Sequence, residues 1–597
     1  MSNSSPPSGL SSLRASRLWL AATLAVVILA AIPNISYPIG RDQATFAVLG
    51  RGILHGKALY RNLWDNKPPG IFFIFALIVR IFGQKMLSVG LVDILWLAAI
   101  SFLIFRFAER TMGSAAGFLA ALANAVWHLR AGYWDAAQAE TFLMACIFAS
   151  YFLMGDKRKP SFFRALASGM FFSAAFWIKY NAVAFLPLVL VAPFLEWPSR
   201  MELPSGGGPS FRLTRLKWLT CLGEFALGAC TLSAAVLGYF ALSHSWPAFW
   251  QENTQVLPRY AEAALTHSSI GRLWAIGKWL GWWSIAAALV APLVAWKRRQ
   301  PYRLAPAWIG AASGFLALAI QVRFQPYYFE TCYPFFAMIW GYLGMEIYAG
   351  AQGLASVFRR RGWKLASPLV WLAFADLVAL TLPGPVMRVA ANYKAFGEWL
   401  HGPEPFYANY AWPGPAEDFH DLLRVVEFLR RHPAPPTGVY VWGNEPLIYF
   451  LSDHEPPTRF VWNLALIATW RLPGWRRELL RDLNTARPLY IIVARHDAVP
   501  ALSGTRKDSE QALKSFPALA ALISGRYERQ KVYGDFLIYR RRAAVHKDVE
   551  EGYRSPVTYD FSLNSGNRTF GSEIKRESAT ISAAKVTPRP NRRPGVR

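Results

Sequence analysis

Apolar residues fall in long runs separated by short polar stretches. The first run spans Leu18 to Ser36, and others begin near Met86, Met112, Ala139, Ala165, Ala182, Trp218, Leu273, Ala305, Thr331 and Leu365. A run of about 18 or more apolar residues predicts a transmembrane helix, so the pattern predicts about eleven. One apolar stretch, Pro69 to Gly83, carries Arg80 and is shorter. At roughly 1.5 Å per residue it falls short of a hydrocarbon core about 30 Å thick. Beyond about Arg388 the pattern changes. Val439–Val441 and Leu489–Val493 read as short buried strands, and Pro446–Leu451 and Arg476–Leu483 as helices beside them. Tyr527–Arg541, with Tyr533-Gly534-Asp535 at its centre, reads as a terminal hairpin. From Ala543 to Arg597 the chain is polar and rich in Ser, Arg and Pro, a composition that predicts a disordered basic tail. The division expected is a tail over 1–16, a membrane region over 17–385, an α/β region over 386–542 and a tail over 543–597.

Composition excludes a soluble enzyme. Of 597 residues, 53% are hydrophobic and 17% charged, where a soluble chain is nearer a quarter charged. Lys and Arg number 64 against 37 Asp and Glu, a net charge of +27. In a soluble protein that excess would suggest nucleic acid. In a membrane protein it reads as basic cytoplasmic loops, and no nucleic-acid partner is expected. Cys146, Cys221, Cys230 and Cys332 lie in apolar stretches and show neither a disulfide framework nor metal spacing.

Charge also fixes orientation. If Pro69–Gly83 lies in the interface without crossing, the basic segments 106–110, 156–164, 201–217, 297–303 and 359–364 share a side with Arg14 and Arg17. If it crosses, they all move outside. The positive-inside rule favours the interfacial helix. The N-terminus is then cytoplasmic, and everything after the last span is extracytoplasmic. The fold class expected is an α-helical polytopic membrane protein with about eleven transmembrane helices, interfacial helices in the first outer loop, and a small C-terminal α/β extracytoplasmic domain.

The outer loops then hold most of the candidate chemistry. The densest group follows the first span: Gly40-Arg41-Asp42-Gln43, Gly50 to Tyr60, and Trp64-Asp65-Asn66-Lys67-Pro68-Pro69-Gly70. A second is Trp134-Asp135-Ala136-Ala137-Gln138-Ala139-Glu140-Thr141, and a third Arg323-Phe324-Gln325-Pro326-Tyr327-Tyr328-Phe329. Lys179 sits at a tight junction between two runs. On composition alone Asp42 also reads as a helix cap, Lys67 as a snorkelling anchor, and Arg323 as a membrane-edge arginine.

The order of an acidic residue just outside span one, a helix closing on Gly-x-x-(Leu/Pro)-Tyr, and Asp-Asn-Lys-Pro-Pro resembles the first outer loop of the GT-C glycosyltransferases. The resemblance is to the bacterial branch related to dolichyl-phosphate-mannose–protein mannosyltransferases and aminoarabinose transferases, and it covers the chain to roughly residue 385. It implies an enzyme that takes a sugar from a polyprenyl-phosphate carrier at the outer face of the bilayer and passes it to an envelope acceptor: lipid A or lipopolysaccharide, another glycan, a glycolipid or a protein. It implies Asp42 as the base and Lys67 as the phosphate partner. It places a second acidic residue in the second group, where Asp135 and Glu140 compete. Glu140 enters the span, where a charge is costly unless paired or wet, whereas Asp135 also reads as a helix cap. Related sequences often carry histidine at the position of Tyr327, a departure that leaves a hydrogen-bonding tyrosine. Arg323, Lys179, Tyr327 and Tyr328 are the remaining substrate-binding candidates. No cofactor is certain. Some members use a divalent metal ion and others do not, so the metal stays open.

Asp93 lies well inside a span and is expected to face a partner or cavity. Gly443-Asn444-Glu445-Pro446 reads as a strand-to-helix turn, with a ligand loop as the alternative. The competing function is a transporter or flippase of lipid-linked sugars. Its usual signature, an internal repeat with broken helices in matching halves, is missing from the sequence.

Overall fold

The computed structural model describes residues 9–130, 132–155, 161–196, 209–265, 269–363, 366–381, 383–410 and 419–543. The basic tail expected over 543–597, apart from its first residue, and residues 1–8 of the expected N-terminal tail lie outside these. The described residues up to Arg542 form one compact unit.

The membrane half is a helical bundle. Its first helix, α1 (Gly9–Ala31), runs into a 3-10 turn at Ile32–Ser36. Next come α2 (Arg41–Leu54) and α3 (Gly70–Phe82), in the segment that follows the first apolar run. Then follow α4 (Leu87–Met112), α5 (Ser114–Arg130), α6 (Ala139–Met154), α7 (Phe162–Ile178), α8 (Leu186–Glu196) and α9 (Pro209–Leu242). Short helices α10 (Trp246–Gln251) and α11 (Leu257–Leu265) flank a π-type turn at Glu252–Val256, and α12 (Ser269–Trp279) follows. The bundle continues with α13 (Trp282–Lys297), α14 (Pro301–Ile320), α15 (Tyr333–Arg360), α16 (Ala366–Thr381) and α17 (Pro383–His401).

Among the described residues four helical segments are long and apolar enough to cross a bilayer: Arg14–Ser36, Leu87–Met112, Trp218–Leu242 and Pro301–Ile320. The run expected from Leu273 is two helices, bent by 78° between Trp279 and Trp282, that together make a fifth. Shorter apolar helices, Ala139–Met154 and Phe162–Ile178 among them, pack between these. The expected boundaries hold within a few residues at α4, α5, α6, α14, α15 and α16. Helix α3 has 13 residues, about 20 Å, and starts after Pro69, as the Pro68-Pro69 pair predicts. Glycines set the helix spacing: a Cβ on Gly169 or Gly228 would collide with the facing backbone of α9 or α7. Such small-residue contacts let membrane helices approach closely.

The C-terminal part is a four-stranded mixed sheet in the order β1-β2-β4-β3. Strands β1 (Val439–Trp442) and β2 (Tyr490–Ala494) are parallel and buried along their length. Strands β3 (Tyr527–Tyr533) and β4 (Phe536–Arg541) form the expected hairpin about Gly534, with β4 antiparallel to β2. Both buried strands, the helix Leu447–Leu451 and the helix Trp475–Ala486 lie where the sequence places them. An amphipathic helix at Phe419–Arg431, with Leu422, Val425, Val426 and Leu429 buried, was not anticipated.

Candidate active site

Asp42 is the second residue of α2. Gly40 caps the helix in an extended conformation without a side-chain bond, so Asp42 is not the cap. A Cβ at Gly40 would lie 2.7 Å from the Gln43 Oε1 and 3.0 Å from the Tyr133 ring, so only glycine lets this turn meet the loop between α5 and α6. The carboxylate sits in the first helical turn, where the backbone amides favour negative charge. Its neighbours are tied to other segments. Arg41 donates to Glu445 Oε1 from Nη2 at 2.5 Å and from Nε at 3.1 Å. Gln43 Nε2 donates to the carbonyls of Tyr133 at 2.9 Å and Ala136 at 2.8 Å.

The Lys67 loop is held from several directions. The Lys67 amide donates to Asp65 Oδ1 at 3.0 Å, and its carbonyl accepts from the Tyr60 hydroxyl at 2.6 Å. Tyr60 is buried at a φ of 60°, a left-handed conformation that costs a non-glycine residue energy and persists where packing over-determines it. Trp64 donates from its backbone to Arg459 O at 2.7 Å and from its indole to Glu252 Oε2 at 2.8 Å. The loop aims Lys67 Nζ at Asp42 Oδ1, 3.5 Å away, with Asp65 Oδ1 at 4.0 Å and the Phe46 ring centroid at 4.7 Å. Burial draws the ammonium down, but Asp42 and Asp65 more than offset it, so Lys67 is held above the usual lysine range. Burial pushes the Asp65 carboxyl up, against the pull of Lys67.

A second ion pair stands beside the first. Glu140, in the first turn of α6, is wholly buried and pairs with Lys179 Nζ. Lys179 stands 3.9 Å from the Tyr328 ring centroid and 5.9 Å from that of Tyr327, within cation–π range. The two pairs share one field: Glu140 acts on Lys67, and Asp42 on Lys179 and Tyr327. Thus Asp42, Lys67, Glu140, Lys179, Tyr327 and Tyr328, drawn from five separate segments, meet in one place.

Asp135 and Arg323 stand differently. The N-cap of α6 is Gln138, so the reading of Asp135 as a helix cap is corrected: it lies in the preceding loop, wholly buried, with neither carboxyl oxygen hydrogen-bonded. Its carboxyl is pushed well above the usual range by burial first and by Glu330 next. Arg323 is committed to backbone: its guanidinium donates to Ala501 O and to Tyr260 O at 3.1 Å, and lies 4.0 Å from the Tyr260 ring centroid.

Three residues were missed: His128, Glu330 and Glu252. His128 places Nδ1 2.8 Å from Glu330 Oε1 and Nε2 3.1 Å from both Asp93 oxygens. Asp93 also accepts from Asn34 Nδ2 at 2.7 Å and the Ala137 amide at 2.8 Å, which gives it the partner its burial demanded. The network fastens the turn holding Tyr327 and Tyr328 to α4 and α5. Glu252, in the π-type turn, is the third, its carboxyl pushed up to about 8, mainly by burial. An ionisable residue in or beside an apolar run was the available signal for each.

A divalent ion needs several converging ligands. Among the described residues no three His, Cys, Asp or Glu side chains are placed to hold one, and Asp42 and Glu140 each face a lysine. The described residues thus form no ready-made cage of protein ligands for a metal.

The sequence pattern of the dolichyl-phosphate-mannose-protein mannosyltransferase family matches residues 66–203. The fold is similar to that of ArnT from Cupriavidus metallidurans, solved with undecaprenyl phosphate and in the apo state. Each has a TM-score of 0.50 and 14% identity, covering 88% of this chain and 98% of that one. The Archaeoglobus fulgidus oligosaccharyltransferase tethered to an acceptor peptide is a looser likeness, with a TM-score of 0.44 and 11% identity over 88% of this chain and 74% of that one. No curated protein matches the chain at significance. Residues 66–203 thus carry the pattern of that mannosyltransferase family, and the fold is ArnT-like.

Proposed function

We propose that the protein transfers a sugar from a polyprenyl-phosphate carrier to an envelope acceptor at the outer face of the bacterial inner membrane. The observation that carries this reading is the pairing of two buried lysines with two carboxylates in one cluster, Lys67 with Asp42 and Lys179 with Glu140. Two ammonium groups side by side suit a phosphate, and the carboxylate partners keep them charged until it arrives. The structure of ArnT bound to undecaprenyl phosphate supports a carrier of this kind.

The chemistry follows from the charges. The acceptor hydroxyl attacks the anomeric carbon while Asp42 accepts its proton, a contribution of about 10²–10⁴-fold. The bond from that carbon to the phosphate oxygen breaks, and polyprenyl phosphate leaves with its charge on Lys67 and Lys179. One displacement inverts the anomeric centre. Glu140 orients Lys179 or the acceptor, and Tyr327 and Tyr328 wall the pocket. Arg323 supports the rim. Asp135 acts with the His128 network behind the pocket. The acceptor is lipid A or lipopolysaccharide, another glycan, a glycolipid or a protein. The amino terminus is cytoplasmic, and the C-terminal α/β part extracytoplasmic.

The test compares envelope lipids and glycans of a deletion strain with those of strains restored by wild type or Asp42→Ala, using mass spectrometry. Loss of one sugar residue, regained with wild type but not with Asp42→Ala, is expected. Equal restoration by the variant removes Asp42 from the reaction. An unchanged set of sugars on every acceptor, with altered sidedness of a lipid-linked sugar, turns the reading to a flippase.

A further inference from the structure

The turn Gly443-Asn444-Glu445-Pro446 lies more than 400 residues from Asp42 in sequence, yet its glutamate reaches the residue beside it. Glu445 and Arg41 are both more than nine-tenths buried, and one carboxylate oxygen accepts from Nη2 at 2.5 Å and Nε at 3.1 Å. A short charge-assisted pair of this kind fixes geometry as well as contributing energy. The turn itself is stiff. The Asn444 amide donates to Asp497 Oδ2 at 3.0 Å, and Asp497 accepts again from Ser509. A Cβ at Gly443 would lie 2.6 Å from the Ala494 side chain, so the turn packs directly on the end of β2. Pro446 then opens the helix Leu447–Leu451, whose residues pack on α2.

On the other side of Asp42, Gln43 is held by the carbonyls of Tyr133 and Ala136. Asp42 thus lies between two clamps, one from the C-terminal sheet and one from the second outer loop. Farther along α2, Arg51 donates to His454 O and to Asp453 Oδ1 at 3.1 Å, so the same C-terminal segment grips α2 near both ends. Lys67 is positioned by contacts that do not pass through Glu445: the Tyr60 hydroxyl, Asp65 and the Trp64 backbone, the last bonded to Arg459 of the C-terminal part. The two halves of the ion pair are therefore held through different residues.

We infer that Glu445 is a positioning residue for the transfer reaction, acting through Arg41 to hold Asp42 at the acceptor side of the site while the phosphate side is held through other residues. The inference rests on the reading of the protein as a polyprenyl-phosphate-dependent transferase. It assigns to the C-terminal α/β part a share in the geometry of the reacting groups.

The separation of supports gives the test. Full-length protein in nanodiscs is titrated with undecaprenyl phosphate, and transfer is followed in cells by the envelope sugar that wild type restores. Glu445→Gln is expected to bind undecaprenyl phosphate within about twofold of wild type while transfer falls at least tenfold. Glu445→Asp is expected to recover part of the transfer. Combining Glu445→Gln with Asp42→Asn should cost no more than Asp42→Asn alone, because both remove the same positioned carboxylate. Glu455→Gln, which removes the outlying ion pairs to His55 and Lys57, should leave both readouts unchanged. Transfer by Glu445→Gln equal to wild type overturns the inference, as does a parallel loss of binding and transfer, which marks a structural role. Failure of wild type to restore any sugar overturns the transferase reading instead.

Discussion

At the scale of single residues the pocket is a problem of buried charge. Lys67 is tolerable there because Asp42 and Asp65 surround it. Replacing Lys67 by methionine leaves the volume and removes the phosphate's partner. A lost bond to a charged group is worth about 1.5–3 kcal/mol, or roughly ten- to a hundredfold in affinity. Undecaprenyl phosphate binding to Lys67→Met in nanodiscs is expected to weaken by that much, and binding within twofold of wild type would remove Lys67 from the phosphate site. Glu252 presents the opposite case. Its folded carboxyl titrates near 8, above the ordinary 4.5. Between these values the folded chain keeps a proton that the unfolded chain has released, so this residue's contribution to stability is full at low pH and declines as pH rises through that window. Glu252→Gln can still accept from the Trp64 indole and carries no such penalty. Its melting temperature should exceed that of wild type at pH 8, with the gap narrowing toward pH 5. A gap that stays constant with pH would show that Glu252 is already ionised in the fold.

Elements deliver these residues, and here the sequence was partly legible. Asp42, Lys67, Glu140, Lys179, Tyr327 and Tyr328 lie in or beside the loops where ionisable and aromatic residues gather between apolar runs, but it was the family resemblance that singled out Asp42 and Lys67. Their pairing did not stand out, since Lys179 and Glu140 belong to different runs and no local pattern links them. The parallel pairing of β1 with β2 and the grip of Glu445 on Arg41 were hidden for the same reason: both are long-range contacts. Asp135 was misread as a cap because the helix start falls four residues later. Helix α3 depends on one glycine. A Cβ at Gly70 would meet Trp177 O at 2.7 Å and Ile178 N at 2.8 Å, and those residues lead directly into Lys179. Gly70→Ala must separate α3 from the end of α7, an overpacking cost of about 1–3 kcal/mol. It should also spread the two lysines, lowering both melting temperature and undecaprenyl phosphate binding. Gly350→Ala, in open space on α15, is the control and should be neutral or stabilising by roughly 0.5–1 kcal/mol. Identical behaviour of the two variants would mean that α3 has slack.

For the whole molecule, the proposed topology treats the net charge of +27 as an orientation signal. Single cysteines at exposed Arg529 and at Arg361 should label from opposite sides of the membrane, and labelling from one side would overturn the proposed topology. The more demanding question is whether the C-terminal part is an appendage. Its contacts say otherwise. Trp64 is seated among Phe460, Trp470 and Trp475, with ring centroids 6.4, 6.4 and 5.1 Å away. Arg323 donates to Ala501 O, Arg41 to Glu445, and Arg51 to His454 O. Ending the chain after Tyr410 would uncover Trp64 and take a partner from each of these three buried arginines, and breaking a single buried ion pair already costs about 3–5 kcal/mol. The membrane helices keep their own contacts, so the damage should concentrate in the first outer loop. The expected outcome is a membrane-inserted fragment that proteases cut between residues 41 and 67 and that no longer binds undecaprenyl phosphate. A fragment that resists cleavage there and binds within twofold of the full chain would show that the membrane half builds the pocket alone. It would also reduce the grip of Glu445 on Arg41 to a tether between two independently folded parts.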